Sequence, residues 1–368
     1  MDANPPNAAS ANSPSAESKG VSSAHARSAH ARGAHARGDT PEAEQLRTAQ
    51  TGGEKFSVIY RIATTLVKHL GLLRVFSLDE LRLRRWLERH ARRRPPDVPL
   101  FIALRHRVTR RIVARRPCPS IEPRAGWQPG APVVLFLHGG GLIFEALFAH
   151  WMVADKIVRR CGAYLALPAY PLLPQASIYE ASDMVLEVYR QLCARYGHDA
   201  ITILGDSAGA SLALTVTLSV LRHEPELGVP HQLILLSPAQ VVINDPALRA
   251  QMDALGPGDI TLSPSLLDVM QRLMSRRPER DDFFATPLEQ DYTGFPPTEI
   301  YYGSEELFYP LMEGFAARLN DAGVAVGTHV GEGMCHVWPY IPFAPETTRT
   351  LDEIIATIAR QNGASRTS

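Results

Sequence analysis

From about residue 100 onward, short apolar runs alternate with longer segments of helical periodicity. Five of the runs have the length and composition of buried strands. They span residues 133–137, 164–167, 201–204, 232–237 and 299–302. Strands that alternate with helices over this length predict a mostly parallel sheet with helices on both faces. In such a sheet, functional sites form at the carboxyl ends of the strands.

Two amphipathic helices are predicted before this alternating region. Residues 58–70 carry apolar side chains at the helical period, and Gly71 stands where a helix would end. Ser77 and Glu80 have the spacing of a capping box for a second helix, which ends before Pro95. Amphipathic helices need an apolar surface to cover. A cap over a pocket and an ordinary outer layer of helices both fit this pattern.

The first 50 residues differ in composition from the rest of the chain. They are rich in Ala, Ser, Pro, Asn and Gly, and Ala-His-Ala-Arg occurs three times between residues 24 and 37. Such a segment has too little apolar surface to fold, so we expect a disordered tail rather than a histidine metal site. The predicted organisation is a tail over 1–50, a helical segment over 51–99 and an α/β domain over 100–362.

Neither a secretory signal nor a membrane span is indicated. The first 40 residues lack an apolar core, and the longest mostly apolar stretch, residues 208–221, is shorter than the ~20 residues of a spanning helix. The four cysteines have neither the spacing of a metal site nor the density of a disulfide framework. We therefore predict a cytoplasmic protein.

The chain has 38 basic and 38 acidic side chains, but they are unevenly distributed. Residues 51–116 carry 17 Lys and Arg against 5 Asp and Glu, a net charge of +12, and residues 117–368 carry 16 against 28, a net charge of −12. This favours docking of the basic helices on the acidic remainder, with leucines as apolar contacts. These leucines are Leu66, Leu70, Leu83 and Leu87. An anionic membrane surface is the alternative partner, whereas no nucleic-acid-binding motif is present.

Two glycine-rich motifs follow predicted strands. His-Gly-Gly-Gly stands at 138–141, after the strand at 133–137. Gly-Asp-Ser-Ala-Gly stands at 205–209, between a strand and a helix. Gly-x-Ser-x-Gly in this context is typical of a nucleophile on a strained turn, whose neighbours two positions away must be small. A phosphate loop would carry a lysine after the glycines, and neither motif does. We therefore interpret Ser207 as a nucleophile.

Backbone amides beside Ser207 can stabilise an oxyanion. The amide of Ala208 lies in the first turn of the following helix, where amides have no partner within the helix. The glycines after His138 allow a close backbone approach and offer further amides to the same oxygen.

A nucleophilic serine needs a base and an orienting carboxylate, in the order serine, acid, histidine for this kind of fold. Four histidines follow Ser207, and the best placed is His336, in a loop after the strand-like residues 326–330. The other three stand near a helix end, before a strand and inside a strand. Glu305 and Glu306 both follow the predicted strand at 299–302, and their position alone does not choose between them.

Together these motifs resemble the hormone-sensitive-lipase-like family of α/β-hydrolase esterases. The resemblance covers about residues 55–360. The segments that carry it are similar to the family's HGGG, YRLAPE, GDSAG, AGV and EGMxH motifs and stand at 138–141, 170–175, 205–209, 322–324 and 331–336.

The resemblance implies an α/β-hydrolase fold, a mostly parallel sheet flanked by helices. It also implies a helical cap built from the N-terminal segment 51–99 and from an insertion at about 243–285. The residues just after the glycines are then candidates for the substrate pocket, although they could equally belong to the hydrophobic core. These residues are Leu142, Ile143 and Phe144.

The family's acid stands about 30 residues before its histidine, and this spacing selects Glu306, with Glu305 as the alternative. A glutamate here replaces the family's usual aspartate. The family's oxyanion donors correspond to Gly140, Gly141 and Ala208.

The implied reaction is hydrolysis of short to medium acyl esters through an acyl-enzyme, with a small-molecule ester as substrate and neither a metal nor an organic cofactor. An amidase or lactonase with the same residues is the alternative. A ligand-binding relative without activity would lack a triad member, typically the histidine, and His336 is present.

Overall fold

The structure is a computed structural model that describes residues 57–69, 80–90, 97–273 and 282–364. The predicted tail, Leu70 and the predicted capping box at Ser77 lie outside the described residues.

One eight-stranded sheet organises the described part of the chain. Numbered along the chain, its strands are β1 (Arg107–Val113), β2 (Arg116–Glu122), β3 (Val133–Leu137), β4 (Tyr164–Ala166), β5 (Ile201–Asp206), β6 (Gln232–Leu236), β7 (Thr298–Gly303) and β8 (Val326–Gly331). Their order in the sheet is β1-β2-β4-β3-β5-β6-β7-β8. The pairs β1–β2 and β2–β4 are antiparallel, and all later pairs are parallel. The predicted α/β-hydrolase fold with a mostly parallel sheet is confirmed.

Helices cover both faces of this sheet. Numbered along the chain, they are α1 (Val58–His69), α2 (Glu80–His90), α3 (Leu100–Arg105), α4 (Phe148–Cys161), α5 (Ile178–Tyr196), α6 (Ala208–His223), α7 (Pro246–Leu255), α8 (Pro264–Leu273), α9 (Tyr309–Asp321) and α10 (Pro345–Ala364). Buried side chains of α5, α6 and α9 belong to one apolar core, and those of α4 and α10 to another. Alternate residues of the central strands face the two cores. Both faces of these strands are therefore buried, which explains their continuous apolar sequences.

The parallel strands bring distant chain segments to one edge. In the pairing register Leu137 lies opposite Gly205, and Asp206 lies opposite Leu236. At the far side, Gly303 pairs with Gly331. The loops after β3, β5, β6, β7 and β8 therefore all leave the sheet at its carboxyl edge.

Helix α1 docks through a different face from the one that its apolar periodicity indicates. Tyr60 and Ala63 are buried against the segment 334–344, whereas Ile62 and Leu66 are 64% and 56% exposed. The expected docking through Leu66 is therefore wrong, because the surface beneath α1 receives an aromatic and a small side chain instead. In α2, Leu83 and Leu87 are buried, as expected, and belong to the same apolar core as side chains of α5 and α6.

The insertion between β6 and β7 contains α7 and α8. Asp245 accepts a hydrogen bond from the amide of Ala247 at 2.7 Å, and Pro246 occupies the first turn of α7, which is how helices commonly begin. The apolar face of α8 is buried and turns toward the carboxyl edge of the sheet, where it forms one wall of a cavity. This face consists of Leu266, Leu267 and Met270.

Candidate active site

Ser207 stands on a sharp turn between β5 and α6. Its backbone has φ 51° and ψ −121°, in the left-handed half of conformational space that most side chains avoid. A Cβ on Gly205 would lie 2.6 Å from the carbonyl oxygen of Gly209, and a Cβ on Gly209 would overlap the carbonyl of Leu137. The turn therefore requires glycine on both sides of the serine, and the amide of Ser207 donates to the Leu236 carbonyl at 2.8 Å.

His336 reaches Ser207 from the loop after β8. Its Nε2 lies 2.8 Å from Ser207 Oγ, so the hydroxyl can donate a hydrogen bond to the neutral imidazole. Both side chains are buried, with 5% and 8% of their surface exposed. The structure thus joins the predicted nucleophile and base, although they stand 129 positions apart in the chain.

Glu306 is fully buried behind His336. Its Oε2 accepts hydrogen bonds from Ser237 Oγ at 2.6 Å and from the amide of Gly303 at 3.2 Å. The same oxygen lies 3.7 Å from His336 Nδ1, within reach of an ion pair but beyond hydrogen-bond length. Glu305, the alternative from the sequence, is exposed. Of the two glutamates, Glu306 is therefore the one that faces His336.

Three carboxylates determine the electrostatics around His336. Burial alone would lower the pKa of His336, because it penalises the charged imidazolium. Glu306, Asp259 and Asp206 outweigh burial and raise the pKa of His336 above its ordinary value of 6.5. This environment favours the imidazolium that forms when the histidine accepts a proton.

The glycine loop after β3 adopts a backbone that only glycine tolerates well. Gly140 and Gly141 have φ values of 107° and 61°. The preceding His138 is buried, stacks on Tyr170 at 4.3 Å and has its pKa lowered to about 3, mainly by burial. A neutral His138 donates through Nδ1 to the carbonyl of Gly139 at 2.9 Å, and the Tyr170 hydroxyl donates to the carbonyl of His138. The His138 and Tyr170 side chains thus stabilise the backbone at the start of the glycine loop.

A cavity of about 330 Å³ opens above Ser207. Gly140, Gly141 and Ala208, for which the sequence predicts the role of oxyanion donors, border it beside the serine. Most of the wall is apolar, with α8 on one side. Further apolar side chains of the wall are Leu262, Phe284, Pro287 and Phe308. The arrangement can hold a neutral, largely apolar molecule with one polar group at Ser207.

Of the three predicted pocket residues, Leu142 lines the cavity. Ile143 is buried in the core, and Phe144 packs on Trp86 with their ring centroids 5.2 Å apart. The amides of Ile143 and Phe144 both donate to the carbonyl of Gly140. This tight turn directs the two side chains away from the cavity.

Three polar residues near the site were not predicted from the sequence. His150 on α4 borders the cavity, with its Nδ1 accepting from the Leu147 amide at 2.7 Å and its Nε2 lying 3.4 Å from Asp206 Oδ2. Ser237 follows β6, and Asp259 lies between α7 and α8. Ser237 ends a predicted strand, so its position at a strand end was the available sequence signal.

The described residues contain no group of three or more histidine, cysteine, aspartate or glutamate side chains that could hold a metal ion. Within the same residues, no helix combines the length and apolarity needed to cross a membrane.

The fold and the arrangement around Ser207 define the class of α/β hydrolases. A family model described as alpha/beta hydrolase fold matches residues 134–340, which is more than half of the chain. The chain belongs to this family and, within it, to the hormone-sensitive-lipase-like esterases, as the sequence predicted. It is a carboxylesterase-like hydrolase.

Proteins named as esterases and hydrolases are similar to this chain in sequence or structure. An esterase of Acinetobacter venetianus is 29% identical over 232 residues, which cover 62% of this chain and 75% of the relative. An acetyl-hydrolase of Streptomyces hygroscopicus is 28% identical over 238 residues, which cover 64% and 77%. The crystal structure of a hormone-sensitive lipase from a metagenome library is 25% identical, has a TM-score of 0.65 and aligns with 84% of this chain and all of its own.

Proposed function

We propose that the protein hydrolyses small carboxylic esters through a Ser207–His336–Glu306 triad. The observation that carries this proposal is the 2.8 Å contact between Ser207 Oγ and His336 Nε2 at the floor of an apolar cavity. The contact supplies a nucleophile and a base within proton-transfer distance of each other. Glu306 orients the imidazole and stabilises its charged form.

In the first half of the reaction, His336 Nε2 takes the proton of Ser207 as Oγ attacks the ester carbonyl carbon. The carbonyl oxygen becomes an oxyanion, which accepts hydrogen bonds from the amides of Gly140, Gly141 and Ala208. His336 then gives its proton to the leaving alkoxide. The alcohol departs, and the acyl group stays on Ser207.

In the second half, water takes the place of the alcohol. His336 removes a proton from the water as its oxygen attacks the acyl carbon, and the same amides hold the second oxyanion. Collapse returns the proton from His336 to Ser207 Oγ and releases the carboxylic acid. This chemistry uses the chain's own groups throughout.

The cavity favours short acyl chains. An engineered cavity of about 150 Å³ holds a benzene molecule, so 330 Å³ accommodates roughly a dozen non-hydrogen atoms. The largely apolar wall favours an uncharged ester, and an acetyl-hydrolase among the relatives supports a short acyl group. The preferred substrates are esters with acyl chains of up to roughly six carbons.

We also propose a two-part cap for this cavity, built from the N-terminal helices α1 and α2 and from the insertion that contains α7 and α8. The contribution of α8 to the cavity wall supports the second assignment. The catalytic domain spans 100–362, and the tail at 1–50 takes no part in the reaction.

Replacement of the nucleophile tests the proposal. Ser207→Ala should lower kcat for p-nitrophenyl butyrate by ~10⁶-fold, because removal of the nucleophile has this effect in a comparable triad. Covalent labelling by a fluorophosphonate should disappear with it. The matched control is Ser219→Ala, a buried serine farther along α6 that bonds the Thr215 carbonyl. Full activity or full labelling of Ser207→Ala would overturn the assignment.

A substrate panel tests the reaction class. Nitrophenyl esters of two to twelve acyl carbons should show a maximum among the short chains, and anilides and lactones of the same size should react far more slowly. A higher kcat/KM on anilides or on lactones than on esters would contradict the proposed reaction and would assign the protein as an amidase or a lactonase instead.

A further inference from the structure

Tyr60, on α1, contacts the residue before the proposed base. Its side chain is buried, and its hydroxyl oxygen accepts a hydrogen bond from the backbone amide of Cys335 at 2.9 Å. The hydroxyl also donates to Cys335 Sγ at 3.3 Å. Because Cys335 is joined directly to His336, this pair of hydrogen bonds fixes the loop that carries the imidazole.

Helix α1 is itself anchored at its start. Ser57 Oγ donates to Glu346 Oε2 on α10 at 3.0 Å, and the Ser57 amide donates to the other carboxylate oxygen. Below this point, Tyr60 and Ala63 share an apolar cluster with Met334 and Trp338. Tyr60 thus extends from a helix that is held to the catalytic domain independently of the histidine loop.

Asp259 makes the corresponding contact from the second cap segment. It lies between α7 and α8 with 9% of its surface exposed. One carboxylate oxygen accepts from the amide of Leu307 at 2.8 Å, and the other accepts from the amides of Thr261 and Leu262 at 2.7 and 3.1 Å. Leu307 is joined to Glu306, whereas Thr261 and Leu262 line the cavity. One side chain therefore connects the acid loop to the pocket wall.

We infer that Tyr60 and Asp259 are positioning residues for the proposed hydrolysis, with Tyr60 holding the loop of His336 and Asp259 holding the loop of Glu306. The inference rests on the proposed function, since it assigns these two residues to its base and acid. Ile260 connects the Tyr60 contact with the Asp259 contact, because it follows Asp259 in the chain and its side chain packs against the apolar cluster of Tyr60.

The distance between base and acid explains why such positioning matters. His336 Nδ1 and Glu306 Oε2 are 3.7 Å apart, so the two loops must approach by somewhat less than 1 Å to form a hydrogen bond. A misplacement of about 1 Å can lower a rate by ~10²-fold. Because the two loops are held at Cys335 and Leu307, the movement that brings His336 and Glu306 into hydrogen-bond distance stays small and reproducible.

The first experiment removes the hydroxyl of Tyr60. Tyr60→Phe keeps the ring in its apolar cluster but leaves the amide of Cys335 without its acceptor. We expect kcat for p-nitrophenyl butyrate to fall by ~10- to 100-fold while KM changes by less than about twofold. The control is Thr65→Ala, which removes a hydroxyl from an exposed position of the same helix, where it bonds the Arg61 carbonyl at 2.7 Å, and its kcat should stay within about twofold of the unchanged protein. Equal kcat losses in both variants, or none in Tyr60→Phe, would overturn the role of Tyr60.

The second experiment removes the charge of Asp259. Asp259→Asn keeps the size of the side chain, and we expect a lower kcat together with a change in the pH profile. The remaining carboxylates facing His336 are Glu306 and Asp206. With one of three carboxylates neutral, the pKa of His336 falls, so the acid limb of kcat/KM moves to lower pH. Asp245→Asn, which caps α7 at an exposed position, is the control and should leave the limb in place. An unmoved limb and an unchanged kcat in Asp259→Asn would contradict its assigned role.

Activities are expressed per site labelled by a fluorophosphonate, so that unfolded protein does not enter kcat. If one variant yields no labelled protein, the other decides the inference. Activity or labelling retained by Ser207→Ala would instead overturn the proposed function itself, which separates the two failures.

Discussion

The two halves of the site are held in place by different means. Ser207 lies on the turn directly after β5, and its backbone shape depends on Gly205 and Gly209, because neighbouring backbone atoms leave no room for a Cβ at either position. His336 and Glu306 lie in loops outside the sheet and are held by hydrogen bonds from three other chain segments. Local sterics thus shape the half with the proposed nucleophile, here the nucleophile half, and long-range contacts shape the half with the proposed base and acid, here the acid–base half.

The largest effect within the acid–base half should come from the acid itself. Glu306→Gln should lower kcat by up to ~10⁴-fold, because the amide cannot stabilise the imidazolium or select its tautomer in the same way. Glu305→Gln is a matched control one position away with an exposed side chain, and it should leave kcat nearly unchanged. Steady-state kinetics of the two variants give the ranking, and a reversed ranking would transfer the acid to Glu305.

In the nucleophile half, a single methyl group should be enough to disrupt the site. Gly209→Ala places a Cβ against the carbonyls of Leu137 and His138, so the turn must shift and carry Ser207 with it. We expect kcat to fall by at least ~10²-fold. Thermal unfolding should show a loss of about 1–3 kcal/mol from overpacking.

A second glycine provides the control for this prediction. Gly314 lies within α9, where an added Cβ meets the end of the flexible Arg318 side chain. Gly314→Ala should keep its activity and gain up to about 1 kcal/mol of stability, because alanine favours the helix. Equal activity in the two alanine variants would show that local sterics do not shape the nucleophile half.

A smaller effect is expected at Ser237, which supports both loops of the acid–base half. Its Oγ donates to Glu306 Oε2 and accepts from the amide of Val337 at 2.9 Å. Ser237→Ala leaves these two groups without this partner, which costs about 1–3 kcal/mol. If about half of that cost is lost from stabilisation of the transition state, kcat falls by about two- to twelvefold. Ser219→Ala is again the control. If Ser237→Ala has the same kcat as this control, Ser237 does not support the acid–base half.

The smallest effect is expected outside both halves. Deletion of residues 1–50, which lie outside the described part of the chain, should change neither kcat nor Tm measurably, because their composition predicts a segment with too little apolar surface to support either half. Activity assays and a melting curve of the shortened protein test this. A fall in either quantity would show that the tail docks on the domain.

The difference between the halves also explains what the sequence could predict. Residues 133–137 were predicted with the bounds that the structure has, because a short continuous apolar run is a strong signal of a buried strand. Ser207 was equally clear, since the constraint on its neighbours lies within five residues. The hairpin of β1 and β2 was missed, because arginines fill much of β1 and two prolines interrupt β2.

The acid–base half was harder to predict. Choosing between Glu305 and Glu306 needed a family spacing, since a shift of one residue changes which side chain is buried. No local pattern indicates that Tyr60 meets Cys335, 275 positions later, or that Asp259 meets Leu307. The apolar period of α1 even indicated the wrong face, because periodicity reports how apolar a face is and not what lies beneath it.

The thiol next to the proposed base has a practical consequence. Burial raises the pKa of Cys335 to about 12, and it also raises the pKa values of Cys118, Cys161 and Cys193, to about 12, 11 and 11. The chain has no other cysteine, so every native thiol is almost wholly protonated at neutral pH and reacts slowly with maleimides. A single cysteine added on the exposed side of α1 would then take up a fluorophore selectively. Spectroscopy of this fluorophore would then report the environment of α1 without prior removal of any native cysteine.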